Sequence, residues 1–135
     1  MSGRSRIAKF KRGLASGSVA LVLLTGCNAF DSRAVGALDS YSAQEIFERG
    51  EYELERGDAE DAAFYFGEIE RLYPYSEWAK RALIMQAFSY HRDEDYPNSR
   101  AAAQRYIDFY PVDDDAAYAQ YLLALSYYDQ IDEVG

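Results

Sequence analysis

The chain has 135 residues, 23 acidic against 14 basic, a net charge of −9, one cysteine and one histidine. That length allows one domain, or one domain with a tail, and the acidic balance argues against nucleic acid as a partner, because phosphate binding needs a basic surface. One Cys and one His leave almost nothing from which to build a Cys/His metal site or a Cys–His nucleophile, and a disulfide within the chain is impossible.

The charge is unevenly placed. Arg4, Arg6, Lys9, Lys11 and Arg12 fall in residues 1–26, which hold no acid; from Cys27 onward nine basic residues face 23 acidic ones, a net −14. The basic cluster leads into the apolar run Leu14 to Leu24, diluted by Ser16, Gly17 and Ser18. Such a layout is that of a secretory signal, and the run falls short of the roughly 20 apolar residues that span a bilayer. It ends in Leu24-Thr25-Gly26-Cys27, which resembles the lipobox of bacterial lipoproteins. The resemblance implies that 1–26 is a signal peptide, that the Cys27 thiol takes a diacylglyceryl group, and that the new amine is acylated. The thiolate is the side-chain nucleophile suited to that step. With each buried CH₂ contributing about 0.8 kcal/mol, three acyl chains would hold firmly where one holds marginally. Asn28, in place of the Asp that commonly retains lipoproteins at the inner membrane, is compatible with the outer membrane, periplasmic face.

Residues 27–41 read as the lipidated Cys and a flexible tether, with Asp31, Ser32, Gly36 and Asp39 and little periodicity. From there on the pattern is helical. Ser42-Ala43-Gln44-Glu45 is a capping box, opening a helix to about Arg56 that stops at Gly57. Asp58 is the expected N-cap of a second helix, carrying Ala62, Phe66 and Ile69 and ending before Pro74. Ser76 caps a third, to about Arg92. Pro97 suits the first turn of a fourth, to Phe109 before Pro111, and Asp113-Asp114-Asp115 supplies caps and dipole-matched charge for a fifth, to about Ile131. No segment alternates as a strand does, so the fold class is all-α.

The helices repeat. Tyr73-Pro74 returns as Tyr110-Pro111, and Ala87-Phe88-Ser89-Tyr90 as Ala124-Leu125-Ser126-Tyr127, both 37 residues on; Gly50 precedes Ala87 by the same step. Gly50, Gly57, Ala62, Phe66 and Pro74, then Ala87, Tyr90 and Pro111, then Ala124 and Tyr127, resemble the tetratricopeptide pattern of small residues at a helix crossing and a closing Pro. Ser99 and Ala103 depart from it, standing where Ala and a large aromatic are usual. The expected architecture is an antiparallel helix-hairpin array of about two and a half repeats over 42–135, divided 42–75, 76–112 and an incomplete 113–135.

The lipobox, the short acidic tether, and then Ala43-Gln44-Glu45-Ile46-Phe47, Tyr73-Pro74-Tyr75-Ser76 and Ala87-Phe88-Ser89-Tyr90 in that order resemble the BamD (ComL) family of lipoproteins. The resemblance covers Cys27 to Gly135 and implies a subunit of the machinery that inserts β-barrel proteins into the outer membrane. Its implied partners are the other subunits, unfolded barrel precursors recognised by their C-terminal signals, and the membrane through the anchor. Members carry about five repeats, so the contact that their C-terminal half makes with the central barrel subunit is not carried over. The alternative reading is a general periplasmic tetratricopeptide lipoprotein that scaffolds cell-wall or pilus assembly.

Counting from Gly50, Ala87 and Ala124, the positions facing a concave groove are Phe47, Glu51 and Leu54; Ile84, Phe88, His91 and Arg92; and Tyr118, Tyr121, Leu125 and Tyr128. The last eight form the candidate peptide-binding groove. Aromatic rings would fill pockets, Tyr hydroxyls bond backbone, and Arg92 pair with a terminal carboxylate; aromatics at helical spacing equally serve packing. His91, in His91-Arg92-Asp93-Glu94-Asp95, reads as a solvated helix end, and Glu51, Glu53 and Glu55 as a wet face. Asp113–Asp115 lack the Gly and Glu of a calcium loop. No phosphate loop, nucleophile–base pair or triad is present, so neither an enzyme nor a cofactor is expected. Tyr121, Leu122, Leu123, Leu125, Tyr127, Tyr128 and Ile131 make the last helix apolar nearly all round, as a buried helix is, so it is expected to continue into further chain or to dock on another protein.

Overall fold

In a computed structural model, residues 38–134 are described, with their side chains as far as Ile131. Five helices follow one another: α1 (Ala43–Arg56), α2 (Ala59–Leu72), α3 (Glu77–Arg92), α4 (Tyr96–Phe109) and α5 (Ala116–Val134). Among the described residues there is no strand, and each helix packs most heavily on its sequence neighbours. α1 also meets α3, and α3 meets α5. This is the all-α hairpin array expected. The signal segment 1–26, Cys27 and the first part of the tether lie outside the described residues.

Helix ends follow local chemistry. Ser42 Oγ accepts the Glu45 amide at 3.3 Å while the Glu45 carboxylate accepts the Ser42 amide at 2.8 Å, so two orphan donors are satisfied at once. Ser76 Oγ accepts the Ala79 amide at 3.1 Å. Asp95 caps α4 by accepting the Asn98 amide at 3.3 Å, with Pro97 in the first turn. Asp58 differs from expectation: it makes no side-chain cap and pairs instead with Arg56 at 3.3 Å.

The 37-residue period is written in the backbone. Tyr73 and Tyr110 end α2 and α4 with φ/ψ of −132°/53° and −131°/53°. Their amides reach Ile69 O and Tyr106 O at the same 2.8 Å. The turn α1–α2 closes through Gly57 at φ 90°, with the Asp58 amide on Glu53 O at 2.9 Å. The turn α3–α4 closes in the same way through Glu94 at φ 62°, with the Asp95 amide on Tyr90 O at 2.9 Å. Both are left-handed helix caps, one with the residue that favours that region and one without.

Two apolar clusters form the core. Leu38, Ile46, Phe47, Ala62, Phe66, Ile69, Ala79 and Ala82 join α1, α2 and α3; Leu83, Ile84, Ala87, Ala102, Ala103, Tyr106, Ala119 and Leu122 join α3, α4 and α5. Burying each large side chain contributes about 1.5–3 kcal/mol. Gly50 lets α1 and α2 approach: a Cβ there would stand 2.7 Å from Phe66 Cε1. Where the second repeat lacks a large aromatic at Ala103, the wholly buried ring of the same cluster is Tyr106. Ser99, the other departure, donates to Ala87 O at 2.9 Å and accepts Ser126 Oγ at 2.9 Å, a buried hydroxyl chain that joins α3, α4 and α5.

Three expectations are corrected. Phe47 does not line a groove; it is buried between Phe66 and Trp78, with ring centroids 5.1 and 5.0 Å away. Glu53 is no wet-face acid but 2% exposed, its carboxylate held by Arg49 at 2.7 Å and Arg56 at 3.2 Å, as a buried charge must be. Residues 38–41, read as the end of a flexible tether, are docked: Leu38 enters the core, Tyr73 Oη donates to Tyr41 O, and Arg71 stands 3.6 Å from Asp39.

Candidate functional site

The eight groove candidates divide between α3 and α5, and the structure treats them unequally. Ile84 is buried in the second core cluster, so it packs beneath the surface and is not open to a ligand. Its place on α3, where that helix meets α5, explains this. Phe88 is half-buried against the same cluster, and the Arg92 guanidinium lies over its ring, 5.9 Å from the centroid. On α5, Tyr118 and Tyr121 are exposed and stacked, 6.2 Å apart with planes at 27°. Burial pushes the Tyr118 phenol up, and Tyr121 adds to it. Leu125 is half-exposed and Tyr128 exposed, one and two turns farther along the same stripe.

His91 is not the solvated end that its acidic surroundings suggest. Its Nε2 lies 2.9 Å from an Asp129 carboxylate oxygen, and its ring stands edge-on to Tyr96 at 5.6 Å. The side chain is 17% exposed. His91 therefore joins α3 to α5 at Asp129, the residue after Tyr128 in the chain, while Arg92 follows His91 on α3. The partner lies 38 residues away, so nothing in the local pattern announces it.

A residue missed in the sequence completes this face. Arg81 lies over the rings of both Phe47 and Trp78, at 4.9 and 4.8 Å from the centroids. Arg81 and Arg92 are 11 positions apart on α3, three turns, so they share one face at a spacing of about 16 Å. Each guanidinium rests on an aromatic ring, which holds it in place while its N–H groups stay available. In a domain this acidic, two such cations on one helix face concentrate positive charge, and their N–H forks have the geometry that a carboxylate accepts. The i, i+11 spacing of arginines was the available signal. Among the described residues no group of His, Cys, Asp and Glu could hold a metal ion.

Beneath the α4–α5 turn, Asp113 does more than cap. It accepts from Lys80 Nζ at 2.6 Å, Tyr106 Oη at 2.6 Å and the Asp115 amide at 3.1 Å. Lys80 first, then Tyr106 and the amide, hold its carboxyl down at about 2. Burial and the adjacent Asp113 carboxylate push the Tyr106 phenol well up. This knot ties α3, α4 and the start of α5 and keeps the two groove helices in register.

Residues 39–135 match the family model described as "YfiO: Outer membrane lipoprotein". The chain is 32% identical over 111 residues to the outer membrane protein assembly factor BamD of Caulobacter vibrioides, covering 82% of this chain and 36% of that protein. It is 34% identical over 89 residues to the protein of the same name from Rickettsia prowazekii, covering 66% of this chain and 36% of that one. For the Pasteurella multocida protein, also so named, the identity is 24% over 83 residues, 62% of this chain and 32% of that one. The chain thus spans about a third of the length of the curated relatives it matches. No helix among the described residues is long and apolar enough to cross a membrane.

Proposed function

From the premise that this chain belongs to the YfiO (BamD) family of outer membrane lipoproteins, we propose that it is a lipid-anchored subunit of the β-barrel assembly machinery, binding unfolded barrel precursors and partner subunits through its helical repeats. The observation that supports the precursor-binding part is the pair Arg81 and Arg92 on one face of α3, each guanidinium resting on a ring, together with the exposed Tyr118, Tyr121 and Tyr128 of α5, a helix that packs on α3. An extended peptide ending in an aromatic residue supplies a ring for the tyrosines and a carboxylate for an arginine. Binding and scaffolding need no catalysis, and the role is that of an assembly factor, not an enzyme. Cys27, with an N-acyl diacylglyceryl group, would hold the protein at the periplasmic face of the outer membrane.

The test is titration of a fluorescent peptide carrying the C-terminal residues of a barrel precursor. Arg92→Glu, or Arg81→Glu if that arginine takes the terminus, removes a charge-assisted bond of about 1.5 kcal/mol or more, so Kd rises about tenfold; amidating the peptide terminus removes the same increment. Affinity indifferent to both variants and to amidation overturns the reading. At the cellular level, depletion should reduce many outer-membrane barrels together. Intact barrels with a cell-wall or pilus defect would favour the scaffold alternative.

A further inference from the structure

The two ends of the helix array differ in character. Because the helices alternate in direction, residues 38–42 and the turns 73–76 and 110–115 lie at one end, and the turns 57–58 and 93–95 at the other. The Tyr73 hydroxyl bond to Tyr41 O and the Lys80–Asp113 pair confirm that the first three are neighbours. At that end Tyr75 is 101% exposed, Val112 95% and Phe109 64%, with Pro74 and Pro111 also exposed beside them. A shallow cleft of about 400 Å³ between the two turns is lined by Pro74, Tyr75 and Tyr110 with Ser76, Glu77 and Lys80. At the opposite end the turns carry exposed Gly57, Asp58, Asp93 and Glu94, and the exposed apolar side chains that reach it, Tyr127, Tyr128 and Ile131, stand on the body of α5 beside Asp129 and not on a turn.

Large apolar side chains held out on Pro-containing turns gain nothing from packing within this chain. Tyr belongs at a membrane–water boundary, where its ring meets acyl chains and its hydroxyl meets headgroups. The chain also enters the domain at this end, through the docked residues Leu38 to Tyr41. Ten residues separate Leu38 from Cys27, so an anchor on that Cys cannot stand farther from Leu38 than about 40 Å even with the chain fully extended. The aromatic turns are therefore within reach of whatever surface holds the lipid. Charge narrows the kind of surface. Asp113 is balanced by Lys80 at 2.6 Å, but Glu77, Asp114 and Asp115 are exposed beside the tips, which disfavours an anionic leaflet and suits a zwitterionic one.

We propose that this end of the array seats on the membrane surface that holds the anchor, with Tyr75, Phe109 and Val112 entering a zwitterionic headgroup layer and the turns 57–58 and 93–95 directed away from it. The inference rests on lipidation of Cys27, which the test reads separately. The mature protein, purified from membranes and characterised by intact mass, is reconstituted into phosphatidylcholine vesicles that contain brominated lipid. Tryptophan is introduced as Tyr75→Trp or Asp93→Trp over the common background of Trp78. Bromolipid is expected to quench the Tyr75→Trp protein several-fold more than the Asp93→Trp protein, and the difference should survive raised salt, because apolar insertion is not screened. Tyr75→Ser combined with Val112→Ser should abolish quenching of Phe109→Trp while the protein still floats with vesicles through its lipid. Equal quenching at both ends, no quenching at either, or loss of the difference in salt overturns the seating while leaving the anchor intact. An intact mass without lipid on Cys27 overturns the anchor, and the seating falls with it.

Discussion

Glu94 stands at φ 62° one period after Gly57 at φ 90°, and only the glycine adopts that region without strain. The left-handed conformation costs a side-chain-bearing residue about 1–2 kcal/mol, so Glu94→Gly is expected to stabilise the domain by about 1 kcal/mol, read as a higher urea midpoint at unchanged slope. Gly50 is the converse case. Its Cβ would meet Phe66 at 2.7 Å, and Phe66 is a fully buried ring with no room to yield. Helix propensity favours alanine by about 1 kcal/mol, but overpacking costs about 1–3 kcal/mol, so Gly50→Ala should lower the midpoint. Asp113 carries a pH signature. Its carboxyl sits at about 2 in the fold against about 3.9 in an unfolded chain. The stability it contributes is therefore complete above about pH 4 and is lost as pH falls through about 2. Asp113→Asn should lower Tm at pH 7 and flatten the Tm–pH curve across that acid window. An unchanged slope would remove Asp113 from the account.

At the scale of elements, α5 is the informative helix. One side is buried through Ala119, Leu122 and Ser126, while Tyr118, Tyr121, Tyr127, Tyr128 and Ile131 remain exposed. The all-round apolar pattern of this helix is thus met on one side only by the described residues. Its second half is held by polar contacts: Arg100 reaches Ser126 O at 3.2 Å and Gln130 Oε1 at 2.7 Å and lies over the Tyr127 ring at 4.6 Å, and His91 meets Asp129. Arg100→Ala should release this half locally. Hydrogen exchange is expected to quicken at residues 126–131 and stay slow at 79–87 in α3; uniform quickening would mean that the contact holds the whole fold. The capping box, Ser76 and Pro97 made α1, α3 and α4 readable in sequence because each cap acts within four residues. The cap at Glu94 was not readable, since glutamate carries no signal for a left-handed turn.

The whole molecule has a polarity that neither residues nor helices show alone. Arg81 and Arg92 occupy one face of α3, α5 packs on the same helix, and the exposed aromatic turns 73–76 and 110–115 gather at one end with the turns 57–58 and 93–95 at the other. With the aromatic end seated on a membrane as proposed, a groove along α3 would receive a peptide in a defined orientation relative to the bilayer. With the arginines as its charged elements, peptide affinity should fall as salt rises from 0.05 to 0.5 M, a change that shortens the screening length about threefold. Affinity independent of salt would leave only aromatic packing as the basis of recognition.

Helix identity, order, most boundaries and the 37-residue repeat were legible in the linear chain, because caps, prolines and apolar spacing act within one or two turns. Family resemblance was legible for the same reason, as short motifs in a fixed order. Tertiary structure alone decided which of those residues are buried and which are free. Phe47 went to the core where α1 and α2 close at Gly50 and Phe66, Ile84 went to the core where α3 packs with α4 and α5, and Glu53 was buried in a clasp of two arginines of its own helix. His91 found Asp129, Ser99 found Ser126, and Asp113 found Lys80 and Tyr106. Apart from Asp113 and Tyr106, these partners are 27 to 38 positions apart in the chain. Burial and long-range pairing depend on how helices meet, and helical periodicity describes only the face that each helix has to offer.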